Sequence, residues 1–157
     1  NLKLASGFTP VDKMLKNNIK LAMGTDGDSS NNNQDFVEEM HIGGIVNKAV
    51  TMNEKAVPAI EILKMATVNG AEALGFERLG LIKEDYLADL TIFDLESNSF
   101  TPRNNLISAL VYSANSHDVE SVICDGKFIM RDRKLVNVDE KEVRNKVIFI
   151  WKDIQNR

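Results

Sequence analysis

Asp26, Asp28 and Ser30 put oxygen-bearing side chains at alternate positions of a loop rich in glycine, serine and asparagine, just after a short apolar run. Asp26 could ligate a metal, act as a general base towards a bound water, or cap the following turn through Asx-type hydrogen bonds. The local pattern favours the cap, since Asp-Gly is common in turns. Position argues for chemistry. Leu21, Ala22 and Met23 suit a strand buried on both faces, and Gly24 and Gly27 mark where it ends. In sheets built from βα units the carboxyl end of such a strand carries the ligands and the catalysis.

Two other chemistries fit the loop less well. Asp26, Asp28 and Ser30 alternate as the first calcium ligands of an EF-hand do, but the sixth position would be Asn31 instead of glycine, and the twelfth Val37 instead of a bidentate Glu. An anion cradle made by the N–H groups of residues 27 to 32, ahead of a helix from Gln34, has no Gly-Lys-Ser/Thr to fix a phosphate. His41 and His117 have no second His or Cys at ligand spacing and read as structural or surface residues. The residues alone therefore give one candidate carboxylate with no catalytic partner. A non-catalytic α/β interaction or anion-binding module stays open beside an enzyme.

The elements that would position Asp26 follow from periodicity and punctuation. Thr9-Pro10 opens a helix of about two turns with Val11, Met14 and Leu15 on one stripe, and Asn17-Asn18 stops it before a strand at 19–23. Residues 34–50 form a helix with Phe36, Val37 and Met40 on one side and Ile42, Ile45, Val46 and Ala49 on another, which predicts burial on both. Gly43-Gly44 in its middle costs about 1 kcal/mol per glycine and predicts close approach of another backbone. Glu38-Glu39 reads as a solvated or ion-paired face, and Met14, Met23, Met40 and Met65 as packing residues. Pro58 opens a helix with Ala59, Ile62, Leu63 and Ala66 inward. Asn69 and Glu72 have capping-box spacing ahead of a stop at Gly75.

From residue 86 the period becomes two-fold. Leu90 to Phe93 reads as a strand, and Val119 to Cys124, Asp125-Gly126 and Lys127 to Met130 as a hairpin with a type I′ turn. Between them only Leu106 to Tyr112 has a clear apolar pattern. Val143, Val147, Ile150, Trp151 and Ile154 form the stripe of a terminal helix, with Asp139 and Glu142 at capping-box spacing. Two units are expected, 1–80 and 81–157.

Composition bounds the rest. With 157 residues and 43% hydrophobic content the chain can bury a core. No run of eighteen apolar residues predicts a membrane span. A net charge of -4 with interspersed signs gives no basic stripe for nucleic acid. Cys124, the single cysteine, reads as a buried small hydrophobe, in keeping with a reducing, cytoplasmic setting. The chain begins at Asn1, and Leu2 to Ala5 reads like the tail of an element, so a piece of a longer protein is expected.

Several stretches, taken in order, resemble the carboxyl-terminal part of the amidohydrolase superfamily, in the branch of methylthioadenosine/S-adenosylhomocysteine deaminases and triazine chlorohydrolases. They are Leu4-Ala5-Ser6-Gly7 with Pro10-Val11, Gly24-Thr25-Asp26-Gly27 with Ser30-Asn31-Asn32, and Glu38-Glu39-Met40. Met65 to Ala71 with Ala73-Leu74-Gly75, Ala88-Asp89-Leu90, Leu110 to Ala114 and Asp125-Gly126-Lys127 follow. The resemblance implies an α/β fold: the last part of a (β/α)8 barrel, then part of a small β-sandwich and a terminal helix. It implies that Asp26 ends strand eight, binds a catalytic divalent metal, zinc or iron, and helps deprotonate the attacking water. Deamination or dechlorination of a purine-like or other nitrogen heterocycle follows. Ser30 and Asn31 are candidates for contacts with that small-molecule substrate.

The remaining ligands of such a site, a His-x-His pair and two further histidines with an acidic proton shuttle, would lie upstream of Asn1, so these 157 residues alone are expected to be inactive. A barrel cut before its last strands would expose apolar edges, predicting a homo-oligomer or domain swapping. Three positions depart from the family pattern: Asp28 stands for a small apolar residue, His41 for a frequent Arg, and Tyr86-Leu87 where a glycine is common.

Overall fold

Where the sequence supplies an acceptor for the first free N–H groups, a helix starts. The computed structural model describes residues 1–157 as α1 (Val11–Lys16), α2 (Phe36–Thr51), α3 (Ala59–Ala66), α4 (Val68–Ala73), β1 (Leu90–Phe93), α5 (Leu106–Tyr112), β2 (Val119–Cys124), β3 (Lys127–Arg131), β4 (Lys134–Leu135) and α6 (Glu140–Gln155), with 3₁₀ turns at Asn98–Phe100 and Ser116–Asp118. The Asp35 carboxylate accepts from the N–H groups of Val37 and Glu38 at the start of α2. Asn105 does the same for Ser108 in α5, and Asp139 for Lys141 and Glu142 in α6.

One core joins the two halves of the sequence. Val37 and Met40 of α2, Ala59, Ile62 and Met65 of α3, and Val111 of α5 are buried together with Val57, Phe100 and Ala114. α5, which lies beyond residue 80, packs against both α2 and α3 and shares their core. His41 strengthens the same junction: its Nδ1 is 3.2 Å from the Val111 carbonyl, tying α2 to α5. Phe93 of β1 meets Phe100 edge to face, with ring centroids 6.1 Å apart.

Gly43 and Gly44 are needed for side chains, not for another backbone as expected. A Cβ at Gly44 would lie 2.9 Å from Val111 Cγ1 and 3.0 Å from the Tyr112 ring. At Gly43 it would lie 2.7 Å from the flexible end of Met23. Val111 is β-branched and buried, so it has little freedom to yield. Gly44→Ala is therefore expected to destabilise the chain by about 1–3 kcal/mol in urea unfolding, and Gly43→Ala by less, although alanine is the better helix former at both positions. Ile45 and Ala49 are exposed, so the second apolar side of α2 is only partly covered.

The four strands form one antiparallel sheet in the order β1-β2-β3-β4. Asp125 and Gly126 both have positive φ, 49° and 72°, as the type I′ turn requires. A second turn with positive φ at both central residues, Asp132 and Arg133, joins β3 to β4 and carries no glycine. Arg133 is held there by its own bonds: its N–H donates to the Glu120 carbonyl at 2.8 Å, Nε to the His117 carbonyl at 3.1 Å, and its guanidinium to the Asp94 carboxylate at 2.8 Å.

Burial pushes the Asp118 carboxyl up, but the Asn115 backbone N–H, 3.0 Å from its Oδ2, and the Arg133 charge help to outweigh it, and the group titrates below the ordinary carboxylate range. Asp94 is lowered too, first by Arg133 and then by the Glu96 N–H. A carboxylate with a depressed folded value contributes stability above its unfolded pKa of about 3.9 and loses it as pH falls through the folded value. The stability of the chain should thus be flat above about pH 5 and fall steeply below about pH 4. Asp118→Asn should flatten that fall in denaturant titrations at stepped pH.

Three further expectations need correcting. The stretch at 19–23 is extended but pairs with no strand in this chain, and Ala22 and Gly24 are exposed, so it is not buried on both faces. Asn69 does not build a capping box with Glu72. It lies inside α4, whose N-cap is Thr67, while Glu72 pairs on the surface with Lys20. Cys124 is exposed because it sits at the turn end of the hairpin, paired with Lys127 beside Asp125-Gly126. The stripe of α6 exists as a helix face, but every residue of that helix is exposed. No helix is long and apolar enough to cross a membrane.

Candidate functional site

Asp26 stands at the rim of a cleft of about 360 Å³ whose walls come from the extended segment, α2 and α3, with Met23, Ile62 and Met65 on the apolar side and Ser30, Asn31 and Glu39 on the polar side. Its backbone has φ of 60°, a left-handed conformation that Asp tolerates better than most residues because its short side chain bonds locally. Here the Oδ1 accepts from the Gly27 N–H at 2.8 Å, and Oδ2 accepts from the Ser30 hydroxyl at 2.6 Å. The Ser30 hydroxyl and then the Gly27 N–H favour the ionised form and hold the Asp26 carboxyl below its ordinary value. The side chain is exposed, so the carboxylate has open coordination directions as well as two fixed donors.

Ser30 and Asn31 are brought next to Asp26, but their polar groups are already engaged. Ser30 Oγ lies between Asp26 Oδ2 and the Gly27 carbonyl at 3.1 Å. Asn31 Nδ2 donates to the Thr25 carbonyl at 2.9 Å and to Glu39 Oε1 at 2.8 Å, while its Oδ1 accepts from the Asn33 N–H at 3.2 Å. Both residues shape the loop that carries the carboxylate. Glu39, expected on a solvated face, is half-buried and serves as the anchor of Asn31 on α2. Asp28 is exposed and is not joined to this network.

The loop does not form the anion cradle considered from sequence. The N–H groups of Gly27, Ser30 and Asn31 are bonded within the loop, to Asp26 Oδ1 and to the Gly27 carbonyl. With Asp26, Asp28 and Glu39 nearby, the local charge also repels an anion. An ionised oxygen donor suits a hard or borderline cation instead. Zinc takes four ligands, and no three His, Cys, Asp or Glu side chains of this chain converge. The donor type fits a metal, and the number amounts to one ligand.

Comparison with known proteins places these features in a family. The amidohydrolase family model matches residues 1–129. The 5-methylthioadenosine/S-adenosylhomocysteine deaminase of Thermoanaerobacter pseudethanolicus is 50% identical over 144 residues, 91% of this chain and 33% of that protein. The protein of the same name from Acetivibrio thermocellus is 47% identical over 155 residues, 98% of this chain and 36% of its own length. An adenosine deaminase from Xanthomonas campestris, crystallised with bound zinc, superposes with a TM-score of 0.95 at 36% identity over all of this chain and 36% of that one. The atrazine chlorohydrolase of Arthrobacter aurescens TC1, complexed with zinc, superposes with a TM-score of 0.85 at 26% identity, over 95% of this chain and 34% of that one. The chain spans about a third of the length of the curated relatives it matches.

Proposed function

The chain belongs to the amidohydrolase family, and on that premise we propose that it is the carboxyl-terminal part of a metal-dependent hydrolase that removes an amino group from a purine-like heterocycle. The observation that carries the proposal is the Asp26 carboxylate: kept anionic by Ser30 and Gly27, set at the end of an extended segment, and open on its remaining side to the cleft. A depressed pKa makes Asp26 a weak base on its own and a steadily charged ligand, which favours the ligand role over that of an unaided general base. Zinc, bound by Asp26 together with ligands from outside these 157 residues, would supply Lewis acidity and bring the pKa of a bound water towards ~7.

The extended segment fits the same reading. The N–H and C=O groups of Ala22 and Gly24 have no partner in the chain, which is how a barrel strand behaves when the strand beside it lies elsewhere. We assign Leu21 to Met23 to such a strand. Residues 1–80 then complete a (β/α)8 barrel, and the β1-β4 sheet is part of a flanking sandwich. Hydrolytic deamination and dechlorination of a heterocycle make one chemical demand, a water placed against an electron-poor ring carbon that bears a leaving group. The higher identity to the deaminases favours an amine as that leaving group.

The test is direct. The longer protein should retain zinc after dialysis and release ammonia from 5′-methylthioadenosine, S-adenosylhomocysteine or adenosine. The 157 residues alone should do neither. Tight zinc binding and ammonia release by the isolated chain would show that the site is complete without further ligands and would overturn the proposal.

A further inference from the structure

The segment that delivers Asp26 is fastened at points no strand provides. The Met23 N–H donates to the Met65 carbonyl at 3.1 Å, where α3 ends. Two residues earlier, the Leu21 carbonyl accepts from Asn69 Nδ2 of α4 at 2.9 Å. Along an extended chain residues two apart present their polar backbone groups to the same side, so both bonds grip one edge of the segment. Asn69 is half-buried and supplies the side chain in that grip. On the far side of Gly24, Asn31 holds the Thr25 carbonyl to Glu39. Gly24 between the two clamps is the loosest link in the segment. Asn69 therefore fixes the height and rotation with which the chain enters the glycine, and Asn31 fixes how it leaves.

Resting on the reading of Asp26 as a metal ligand, we propose that Asn69 is a positioning residue for Asp26, acting through the Leu21 carbonyl five positions upstream. Asn69 lies in the first turn of α4, and it is its side-chain amide that reaches the Leu21 carbonyl. The Asn69 donor cannot be replaced by an isosteric carboxylate, which would set an acceptor against the Leu21 carbonyl.

In the longer protein, Asn69→Asp is expected to raise the zinc dissociation constant about 10- to 100-fold, the range for removing a partner that orients a ligand. It should lower kcat with KM nearly unchanged. Glu140→Ala, which breaks only the Arg144 surface pair within α6, should leave zinc affinity, kcat and KM at their original values. A folded Asn69→Asp protein with unaltered zinc affinity and kcat overturns the inference. Should that variant not fold, Asn69→Ser is read in the same way. In the unsubstituted protein the Asn69 side-chain NH₂ protons should exchange slowly by NMR, and exchange at the rate of a free amide overturns it independently. If Asp26→Asn also keeps its zinc, the ligand reading itself fails. If Asp26→Asn loses zinc while Asn69→Asp does not, only the positioning role fails.

Discussion

Asp26→Asn in the longer protein is expected to lower zinc retention and ammonia release by more than about a hundredfold, beyond the range for removing a partner of a ligand, while the thermal midpoint stays nearly constant. The substitution isolates charge from shape. Asn tolerates the φ of 60° that Asp26 adopts, whereas alanine would add backbone strain and confuse the result. The Gly27 N–H can still donate to the amide oxygen at the Oδ1 position. At the Oδ2 position an NH₂ group would replace the acceptor of the Ser30 hydroxyl, but that hydroxyl can rotate, accept from the amide and donate to the Gly27 carbonyl, already 3.1 Å away. The loop keeps its bonds and loses its anion. Metal analysis together with ammonia release decides the matter, and a variant with normal zinc content and turnover would remove Asp26 from the metal site.

The turn-capping role of Asp26 is present in the structure, and it leaves room for the proposed ligand role with which it competes when only the sequence is read. One oxygen holds the Gly27 N–H, the other takes the Ser30 hydroxyl, and the remaining directions are free. An apolar run ending at a carboxylate made the residue visible, and the ordered family motifs gave it a role. What could not be read was the support. Asn69 lies 48 positions from Leu21, and a side-chain bond over that separation leaves no local signal. Its spacing to Glu72 suggested a cap instead.

The same limit explains the segment at 19–23. Its composition is that of a buried strand, but no strand of this chain pairs with it, and composition alone does not supply a pairing partner. The caps at Asp139 and Gly75 and the Asp125-Gly126 turn were legible because each is decided within a few residues. The turn at Asp132-Arg133 was not, since its positive φ values are held by bonds from Arg133 to Glu120, His117 and Asp94 and not by a glycine. Cys124 shows the converse: a local apolar run gives no information on whether the end of a hairpin is covered.

Ile62→Ala should be the most damaging single truncation in the core, costing about 2–5 kcal/mol in urea unfolding. Ile62 has 0% of its surface exposed and packs where α2, α3 and α5 meet. A cavity there cannot fill from the α2 side without moving Gly43, against which the Ile62 Cδ1 and the Met23 side chain already rest. Total stabilities of single domains run to about 5–15 kcal/mol, and the buried core of this chain is small, so the loss removes a large share of it. Ile62→Val should cost only about 0.5–1.5 kcal/mol. Ile82→Ala, at a side chain 92% exposed, should change stability by less than about 0.5 kcal/mol. An equal loss at positions 62 and 82 would mean that the core does not centre on α3. Because Ile62 also lines the cleft and touches the space beside Met23, its truncation should loosen the segment that leads to Asp26. In the longer protein, zinc retention in Ile62→Ala should then fall together with stability, whereas in Asp26→Asn it falls alone, and that contrast separates a residue that supports the site from one that belongs to it.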